Sequence, residues 1–431
     1  MRLVFASQNK EDYMKKALSI LLAMGMTVGM VAGCGDTADN SNAADNSAAA
    51  STEAGTDGTQ AAASAADIKV GVIYIGDENE GYTAAHMAGI DEMAANLGLS
   101  DDQIIEKTTI PEDESCYDAA VDLADQGCNI IFATSFGHET YILQAAQEYP
   151  DIQFCHATGY QAASSGLSNM HNYFDAIYEA RYVSGVVAGM KLNEMIENGD
   201  ITADQAKIGY VGAFPYAEVI SGFTSFYLGA KSVCESVTME VQYTNSWADM
   251  TAEGEVANQL IADNCVLISQ HADTTGAPSA CETAGVPCVG YNVDMTSVAP
   301  DAALTSPTNN WGVYYTYAVQ CVLDGKAIDT DWCKGFSEDA VRITPVNEAV
   351  AAEGTDAKVE EVEAALKDGS LHVFDTSKFT VNGSSLEDLI AEGGDYAKYA
   401  DYVSDGYYHE SELASAPSFD IIIDGITSQA N

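Results

Sequence analysis

Hydrophobic positions follow two alternating periods along the central part of the chain. The run "IKVGVIYI" (68–75) is a β-branched apolar segment of strand length, and the segment after it places Ile90, Met93 and Leu97 on one helical stripe. The strand-like runs "IIEKTTI", "NIIFAT" and "IQFCHAT" follow, with helical segments between them. Strands separated by single helices need crossover connections, so this pattern predicts a doubly wound parallel sheet.

A second series of the same kind follows the long helical stretch "AIYEARYVSGVVAGMKLNEMI". Its predicted strands are "KIGYVGAF", "TMEVQYTNSW", "CVLISQH" and "PCVGYN", and "AALTSPT" with the helical "GVYYTYAVQCVLDG" is expected to return to the first sheet. The pattern therefore predicts an α/β fold with two doubly wound, parallel-sheet lobes joined by a hinge, with a ligand cleft between them. The predicted segments are 67–185 plus 295–330 for lobe 1, 186–294 for lobe 2, and 331–431 packing on the back of both lobes.

The N-terminal region has the pattern of an export signal. An uncharged run of residues 17–33 follows Lys15 and Lys16, and Val31-Ala32-Gly33-Cys34 resembles the lipobox of bacterial lipoproteins. We therefore expect a signal peptide over residues 1–33, of which 1–13 are open to being a mis-assigned start, and a lipid on Cys34. An uncleaved membrane anchor is the alternative. Residues 35–66 contain no Val, Ile, Leu, Met or aromatic residue, so 34–66 are expected to form a disordered tether.

Charge and cysteine content limit the partners and the covalent framework. The chain has 65 acidic and 17 basic side chains and a formal charge of -48, which disfavours binding to nucleic acid or to anionic lipid surfaces. Apart from Cys34 there are nine cysteines and no CxxC pair, so neither a complete disulfide framework nor a zinc site is indicated. Free buried thiols are favoured, with one or two disulfides left open.

Candidate ligand-binding residues lie in the loops that follow the predicted strands, because ligands of open α/β sheets gather at the carboxyl ends of the strands. These loops are rich in aromatic rings and in polar groups, a composition typical of a cleft that holds a flat molecule with polar edges. The candidates are Asn79, Tyr82, Ser135, Phe136, His138, Phe214, Glu218, Trp247, His271, Asp273, Asn292, Asp294 and Trp311.

The same loops carry a family resemblance. The blocks "EGYTAAHMAGI", "ATSFGHE", "YEARYVSGVVAG", "GYVGAFPYAEVISGF", "TNSWAD", "QHADTTGAP" and "GYNVDM" resemble, in that order, those of the basic membrane protein family, over roughly residues 68–375. These are lipid-anchored substrate-binding components of ABC importers, many of which take up purine nucleosides or bases. The resemblance implies a periplasmic-binding-protein type I fold and a ligand held between the lobes.

The resemblance also implies roles for particular residues. Tyr82 corresponds to the family's stacking aromatic residue, and Asn292 and Asp294 match its paired aspartates. Two positions depart from the family pattern, since Asn79 replaces an acidic residue and Asn309 replaces a lysine. Both departures remove groups that a nucleoside would use, so a nucleobase becomes a competing ligand.

The favoured function is therefore a non-enzymatic receptor that captures a purine nucleoside or nucleobase by lobe closure. It is expected to act as a monomer, lipid-anchored on the extracytoplasmic face, with an ABC permease and ATPase as partners, and to need no cofactor or metal. A receptor for another flat heteroaromatic such as riboflavin and a sensor outside transport remain alternatives. A nucleoside hydrolase is disfavoured because no HExxH, GxSxG or P-loop motif is present.

Overall fold

Two parallel sheets organise the computed structural model, which describes residues 66–429. The first sheet has the spatial order β2-β1-β3-β4-β5-β11 and the second β9-β8-β6-β7-β15, and every pairing within them is parallel. The strands are β1 Val70–Ile73, β2 Ile104–Lys107, β3 Ile130–Ala133, β4 Gln153–Ala157, β5 Met170–Tyr173, β6 Lys207–Gly212, β7 Thr238–Tyr243, β8 Leu267–His271, β9 Cys288–Val289, β10 Pro307–Asn309, β11 Asp331–Trp332, β12 Val341–Ile343, β13 Val403–Ser404, β14 Tyr407–Tyr408 and β15 Ile426–Gln429.

Helices connect successive strands and cover the sheets, as the alternating pattern predicts. Their bounds are α1 Gly81–Leu97, α2 Glu114–Asp125, α3 Glu139–Glu148, α4 Ala162–Ser165, α5 Ile177–Asn198, α6 Ala217–Val233, α7 Met250–Ala262, α8 Gly276–Ala284, α9 Gly312–Asp324, α10 Thr355–Lys367 and α11 Leu386–Glu392. The predicted lobe boundary at 185/186 falls inside α5, which is one continuous helix.

Helices α5 and α6 pack with their backbones in close contact. A Cβ on Gly185 would lie 2.0 Å from the carbonyl oxygen of Phe226, and a Cβ on Gly229 would lie 2.0 Å from that of Tyr182. Any side chain at either position would force the helices apart, so glycine is required there. This contact fixes α5 against the second sheet, although the helix begins directly after β5 of the first sheet.

The C-terminal segment completes both sheets. The sequence predicts that it packs on the back of the lobes; in the structure β11 pairs with β5 at one edge of the first sheet and β15 pairs with β7 at one edge of the second. Such short strands carry almost no periodic signal. The chain therefore passes between the lobes several times, which ties both sheets to one hinge region.

The prediction that "AALTSPT" returns to the first sheet is wrong. Ala303 forms a parallel bridge with Cys288, and the Gly290 amide donates to the Thr305 carbonyl, so this run extends the second sheet. Strand β10 then pairs antiparallel with β12, and only the following helix, α9, packs on α1 over the first sheet. An apolar run predicts a strand, but its choice of sheet depends on long-range contacts.

The signal peptide, Cys34 and the tether, except its last residue, Ala66, lie outside the described residues. Within residues 66–429 no helix has the length and apolar character to cross a bilayer. The nine cysteines of this region carry free thiols, and all of them except Cys333 are buried.

Candidate functional site

A cavity of about 140 Å³ lies between the carboxyl ends of the two sheets. Residues of both lobes line it, and each lies in a segment that follows a strand, except His271, which is the last residue of β8. Its aromatic lining residues are Tyr82, Phe136, Phe174, Trp247 and Tyr291. Its charged and ionisable lining residues are Glu80, Glu218, His271 and Asp273, and hydroxyls come from Thr134, Ser135 and Thr158.

Many of the sequence-derived candidates meet in this cavity. The structure brings together residues from five different segments of the chain, and they form most of the polar and aromatic lining of the cavity. The candidates placed in the lining are Tyr82, Ser135, Phe136, Glu218, Trp247, His271 and Asp273.

Three candidates lie in the same loops but outside the lining. Asn79 is exposed and donates to Asp77 Oδ1 at 3.0 Å, and Asp294 is exposed and accepts from the Thr296 amide at 2.8 Å. His138 is buried, with Nε2 3.0 Å from the carbonyl oxygen of Ile110. Asn79 and Asp294 each bond within their own turn or helix start, whereas His138 bonds to a distant loop, and a sequence pattern cannot separate either role from one in the cleft.

Three further candidates stand behind the lining. Phe214 stacks on Tyr216 with ring centroids 5.1 Å apart and contacts Trp247 at 5.3 Å. Asn292 Nδ2 donates to Asp273 Oδ1 at 2.7 Å. Trp311 is completely buried and stacks on His86 at 4.2 Å, so it belongs to the core under Tyr82.

Several lining or adjacent residues were missed by sequence reasoning. Glu80 and Tyr291 lie in loops that were selected, but other residues of those loops were chosen. Phe174 follows β5, which was not predicted as a strand. Arg181 lies within the helical block "YEARYVSG", where the one basic residue of an otherwise mostly apolar stretch was the available signal.

The start of α1 joins the two lobes. Glu80 caps the helix, since its carboxylate accepts from the amides of Tyr82 at 2.7 Å and Thr83 at 2.9 Å. The Gly81 amide donates to the carbonyl of Asp273 at 2.9 Å, and a Cβ on Gly81 would lie 3.1 Å from that oxygen. The structure thus has the lobes closed against each other at this point.

The rim of the cavity is closed by a second contact between the lobes. Phe136, after β3, stacks on Tyr216, at the start of α6, with centroids 5.9 Å apart. Both rings remain about half exposed, at 45% and 44%. Tyr160, from the same lobe as Phe136, packs beside it at 6.3 Å, and no aromatic ring of the other lobe within residues 66–429 pairs with it.

The buried His271 and the partly buried Glu218 form a pair in the wall of the second lobe. His271 Nε2 lies 2.6 Å from Glu218 Oε1, and Nδ1 lies 3.3 Å from the Tyr210 hydroxyl. Burial lowers the pKa of His271, and the nearby Arg181 cation lowers it further. A neutral imidazole that donates from Nε2 to Glu218 and accepts at Nδ1 from Tyr210 satisfies this geometry.

Asp273 has the opposite tendency, toward the uncharged acid. Burial raises its pKa well above the ordinary value, and the carboxylates of Glu80, Glu253 and Glu218 raise it further. Burial also raises the pKa of Glu80. The cavity therefore presents a carboxylate acceptor at Glu218 and a carboxyl group at Asp273 that can donate or accept. No cluster of three metal-ligating His, Cys, Asp or Glu side chains occurs among residues 66–429.

Comparisons with known proteins agree with this architecture. Residues 68–371 match the model of the Bmp family, described as ABC transporter substrate-binding protein PnrA-like. A purine-binding protein of Brucella abortus is 33% identical over 318 residues, which cover 73% of this chain and 85% of that protein. A Haloferax volcanii protein that carries the name of an ABC transporter glucose-binding protein is 36% identical over 197 residues, 46% of each chain.

A solved structure shows the same fold at low identity. The ABC transporter solute-binding protein of Conexibacter woesei superposes with a TM-score of 0.57 at 19% identity, covering 71% of this chain and 98% of that one. This likeness, together with the two parallel sheets, identifies the periplasmic-binding-protein type I fold. The chain belongs to the Bmp family of PnrA-like ABC transporter substrate-binding proteins.

Proposed function

We propose that the protein is an extracytoplasmic receptor that captures a purine nucleobase in the cavity between its lobes and presents it to an ABC importer. One observation carries the proposal: the cavity combines aromatic walls with carboxyl groups at its edge. Flat faces and N–H or ring-nitrogen edges are the two features of a purine base. The relative from Brucella abortus, named as purine-binding, supports the same ligand class.

The aromatic lining supplies affinity and the polar lining supplies selectivity. Stacking on a ring contributes about 0.5 to 1.5 kcal/mol beyond the buried area. A buried ligand donor or acceptor left without a partner costs about 1 to 3 kcal/mol. Glu218 and Asp273 therefore determine which ligands bind, through hydrogen bonds to the polar edge of the base. We propose that a ring N–H of the ligand donates a hydrogen bond to Glu218.

The size of the cavity favours a base over a nucleoside. Its volume is about 140 Å³, close to the roughly 150 Å³ of an engineered protein cavity that accommodates benzene. A two-ring base requires only a slight widening of such a space, whereas the additional ribose of a nucleoside requires the lobes to separate. The asparagines at positions 79 and 309 agree with this choice, because the family resemblance implies that they replace groups that a nucleoside would use.

Ligand capture is coupled to closure of the lobes. The hydrogen bond from Gly81 to Asp273 and the stack of Phe136 on Tyr216 both join the two lobes. A ligand that contacts both walls stabilises the closed form over the open one, and only this difference can report occupancy to the permease.

The anchoring of the receptor is part of the proposal. We assign a lipid to Cys34, with residues 34–66 as the tether between the membrane and the receptor. Labelling cells with a radioactive fatty acid tests this, since wild type is expected to incorporate label and Cys34→Ala is not. Equal labelling of both proteins, or of neither, would contradict the anchor.

Calorimetric titration of the purified protein tests the ligand. Adenine, hypoxanthine, adenosine, riboflavin and glucose are titrated in separate runs. We expect one-to-one binding of at least one base with a Kd below about 10 μM, and weaker binding of the nucleoside. Binding of glucose or riboflavin without binding of any base would overturn the proposal.

A further inference from the structure

Arg181 is a buried cation directly behind the ligand cavity. It lies in the first turns of α5 and has no solvent-exposed surface. Its Nη1 donates to the Gln270 carbonyl at 2.7 Å, and its guanidinium carbon lies 3.7 Å from the ring centroid of Tyr291. Its Nε and Nη2 have no hydrogen-bond partner among the described residues. A buried charge with so few hydrogen bonds lowers the stability of the folded protein, so we expect this side chain to have a specific role.

The guanidinium faces His271 across a glycine. A Cβ on Gly222 of α6 would lie 2.5 Å from both Nδ1 and Cε1 of His271, and 3.7 Å from Arg181 Nε. No side chain can therefore stand between the guanidinium and the imidazole on this side. Two groups that flank one point so closely, inside the protein, interact strongly through space.

The surroundings of His271 leave Arg181 as the cation that acts on the imidazole. Glu218 contacts His271 from α6, Tyr210 from β6 and Tyr291 from the loop after β9. Asp273 follows it in its own loop and accepts from Asn292. Among these groups the positive charge of the guanidinium disfavours protonation of the His271 imidazole. It also favours the ionised form of the neighbouring carboxyl groups.

We propose that Arg181 is a positioning residue that holds the His271–Glu218 pair as neutral imidazole and carboxylate, so that the cavity offers the ligand an acceptor at Glu218. The inference rests on the proposed function in one respect, because the ligand N–H is assigned to Glu218. Arg181 contacts no ligand itself, since Tyr291 lies between it and the cavity. Its effect reaches the ligand through the protonation of the pair.

The test compares how ligand affinity depends on pH in wild type, Arg181→Met and Arg181→Lys. The Kd of the base that binds wild type is measured by calorimetry between pH 5 and 8.5. In Arg181→Met the loss of affinity on the acid side should begin about one pH unit higher than in wild type, because the His271–Glu218 pair then takes up a proton more readily and a proton on Glu218 removes the acceptor. Arg181→Lys, which keeps the cation, should restore the wild-type profile.

A second measurement keeps the inference testable apart from ligand binding. The imidazole C–H resonance of His271 is titrated by NMR in ligand-free wild type, in Arg181→Met and in the control Lys326→Met, which removes an exposed cation paired with Asp324. We expect His271 in wild type to titrate below its ordinary pKa of 6.5, because burial and the Arg181 cation lower it, with an upward shift in Arg181→Met and no shift in the control.

The outcomes separate the two proposals. If no purine base binds wild type, the proposed ligand is wrong, and the NMR titration alone decides the role of Arg181. If a base binds but Arg181→Met only weakens binding equally at every pH, with His271 titrating as in wild type, Arg181 is a structural cation and the inference is wrong. Should Arg181→Met fail to fold, a titration of His271 in wild type at or above its ordinary pKa of 6.5 would overturn the inference just as directly.

Discussion

The two walls of the cavity use their polar groups in different ways. In the wall of the first lobe the Glu80 carboxylate caps α1, the Tyr82 hydroxyl donates to the Thr134 carbonyl at 2.6 Å, and Ser135 donates to Glu112 at 2.6 Å. These polar groups already form hydrogen bonds within the protein. The first wall is thus a preformed surface of rings with little free hydrogen-bonding capacity.

The wall of the second lobe keeps hydrogen-bonding capacity free. Glu218 is bound to His271, and the Asp273 side chain is bound to Asn292, so each carboxyl group has an oxygen left for a ligand. Arg181 is a cation that contacts this wall, since its guanidinium lies over the ring of Tyr291. The difference indicates that shape comes from the first wall and chemical selectivity from the second.

The largest expected effect comes from Glu218→Gln compared with Glu80→Gln. Removing the charged acceptor at position 218 should weaken binding of the base about 10- to 100-fold, since a hydrogen bond to a charged group is worth about 1.5 to 3 kcal/mol. Glu80→Gln should change the Kd less than threefold and instead lower Tm, because it weakens a helix cap. Calorimetry and thermal unfolding of both variants check this, and equal losses of affinity would remove the distinction between the walls.

A smaller effect is expected for Trp247. Trp247→Ala should weaken binding about tenfold through lost stacking and lost apolar contact, whereas Trp247→Phe should stay within about threefold. Trp311 and Trp332 are buried in the core, so quenching of tryptophan fluorescence on ligand addition should disappear in Trp247→Phe. Quenching that persists in this variant would place the ligand away from the second wall.

The aromatic contact at the rim should influence release more than capture. Phe136→Ala removes the stack with Tyr216 that joins the lobes, and the dissociation rate measured by stopped flow should rise about three- to tenfold. Tyr160→Ala is the matched control, because it removes an exposed ring of the same lobe that pairs with no aromatic ring of the other lobe within residues 66–429. The same increase in both variants would show that the exposed rings act only through general packing.

The smallest effect on affinity is expected for Asp273→Asn, whose main effect is on stability. Because the pKa of Asp273 is raised in the folded protein, its contribution to stability is complete below its ordinary value of 3.8 and is lost as the pH rises through the folded value. Wild type should therefore lose unfolding free energy between pH 4 and 8 more steeply than Asp273→Asn, by at most about 1.4 kcal/mol per pH unit. Urea unfolding across this range measures it, and a steeper loss in the variant would reverse the assigned direction.

The fold could be predicted further than the site. Alternation of strand and helix periods predicted both sheets except β5, β11 and β15, and the rule that ligands gather at carboxyl ends selected five of the segments that line the cavity. Strands β11 and β15 could not be foreseen, because they contain two and four residues and their pairing partners lie far away in sequence. The same limit led to the error about "AALTSPT", whose apolar run fits either sheet.

Within the loops, the direction of each side chain determines whether it lines the cavity. Asn79 and Asp294 carry the same chemistry as the lining residues, but each bonds to its own turn. Trp311 has the size and the position of a stacking residue, yet the space beneath Tyr82 buries it completely. Such choices depend on packing between elements, which a linear pattern does not contain. Arg181 illustrates this most clearly, because only the fold brings it beside His271.

The most direct test of the central claim is a crystal structure of the protein with the base that calorimetry selects. The account predicts the ring plane against Trp247 and the aromatic first wall, with a ring N–H donating to Glu218 and the Gly81–Asp273 contact intact. A base bound outside this cavity, or inside it with no hydrogen bond to Glu218 or Asp273, would contradict the account.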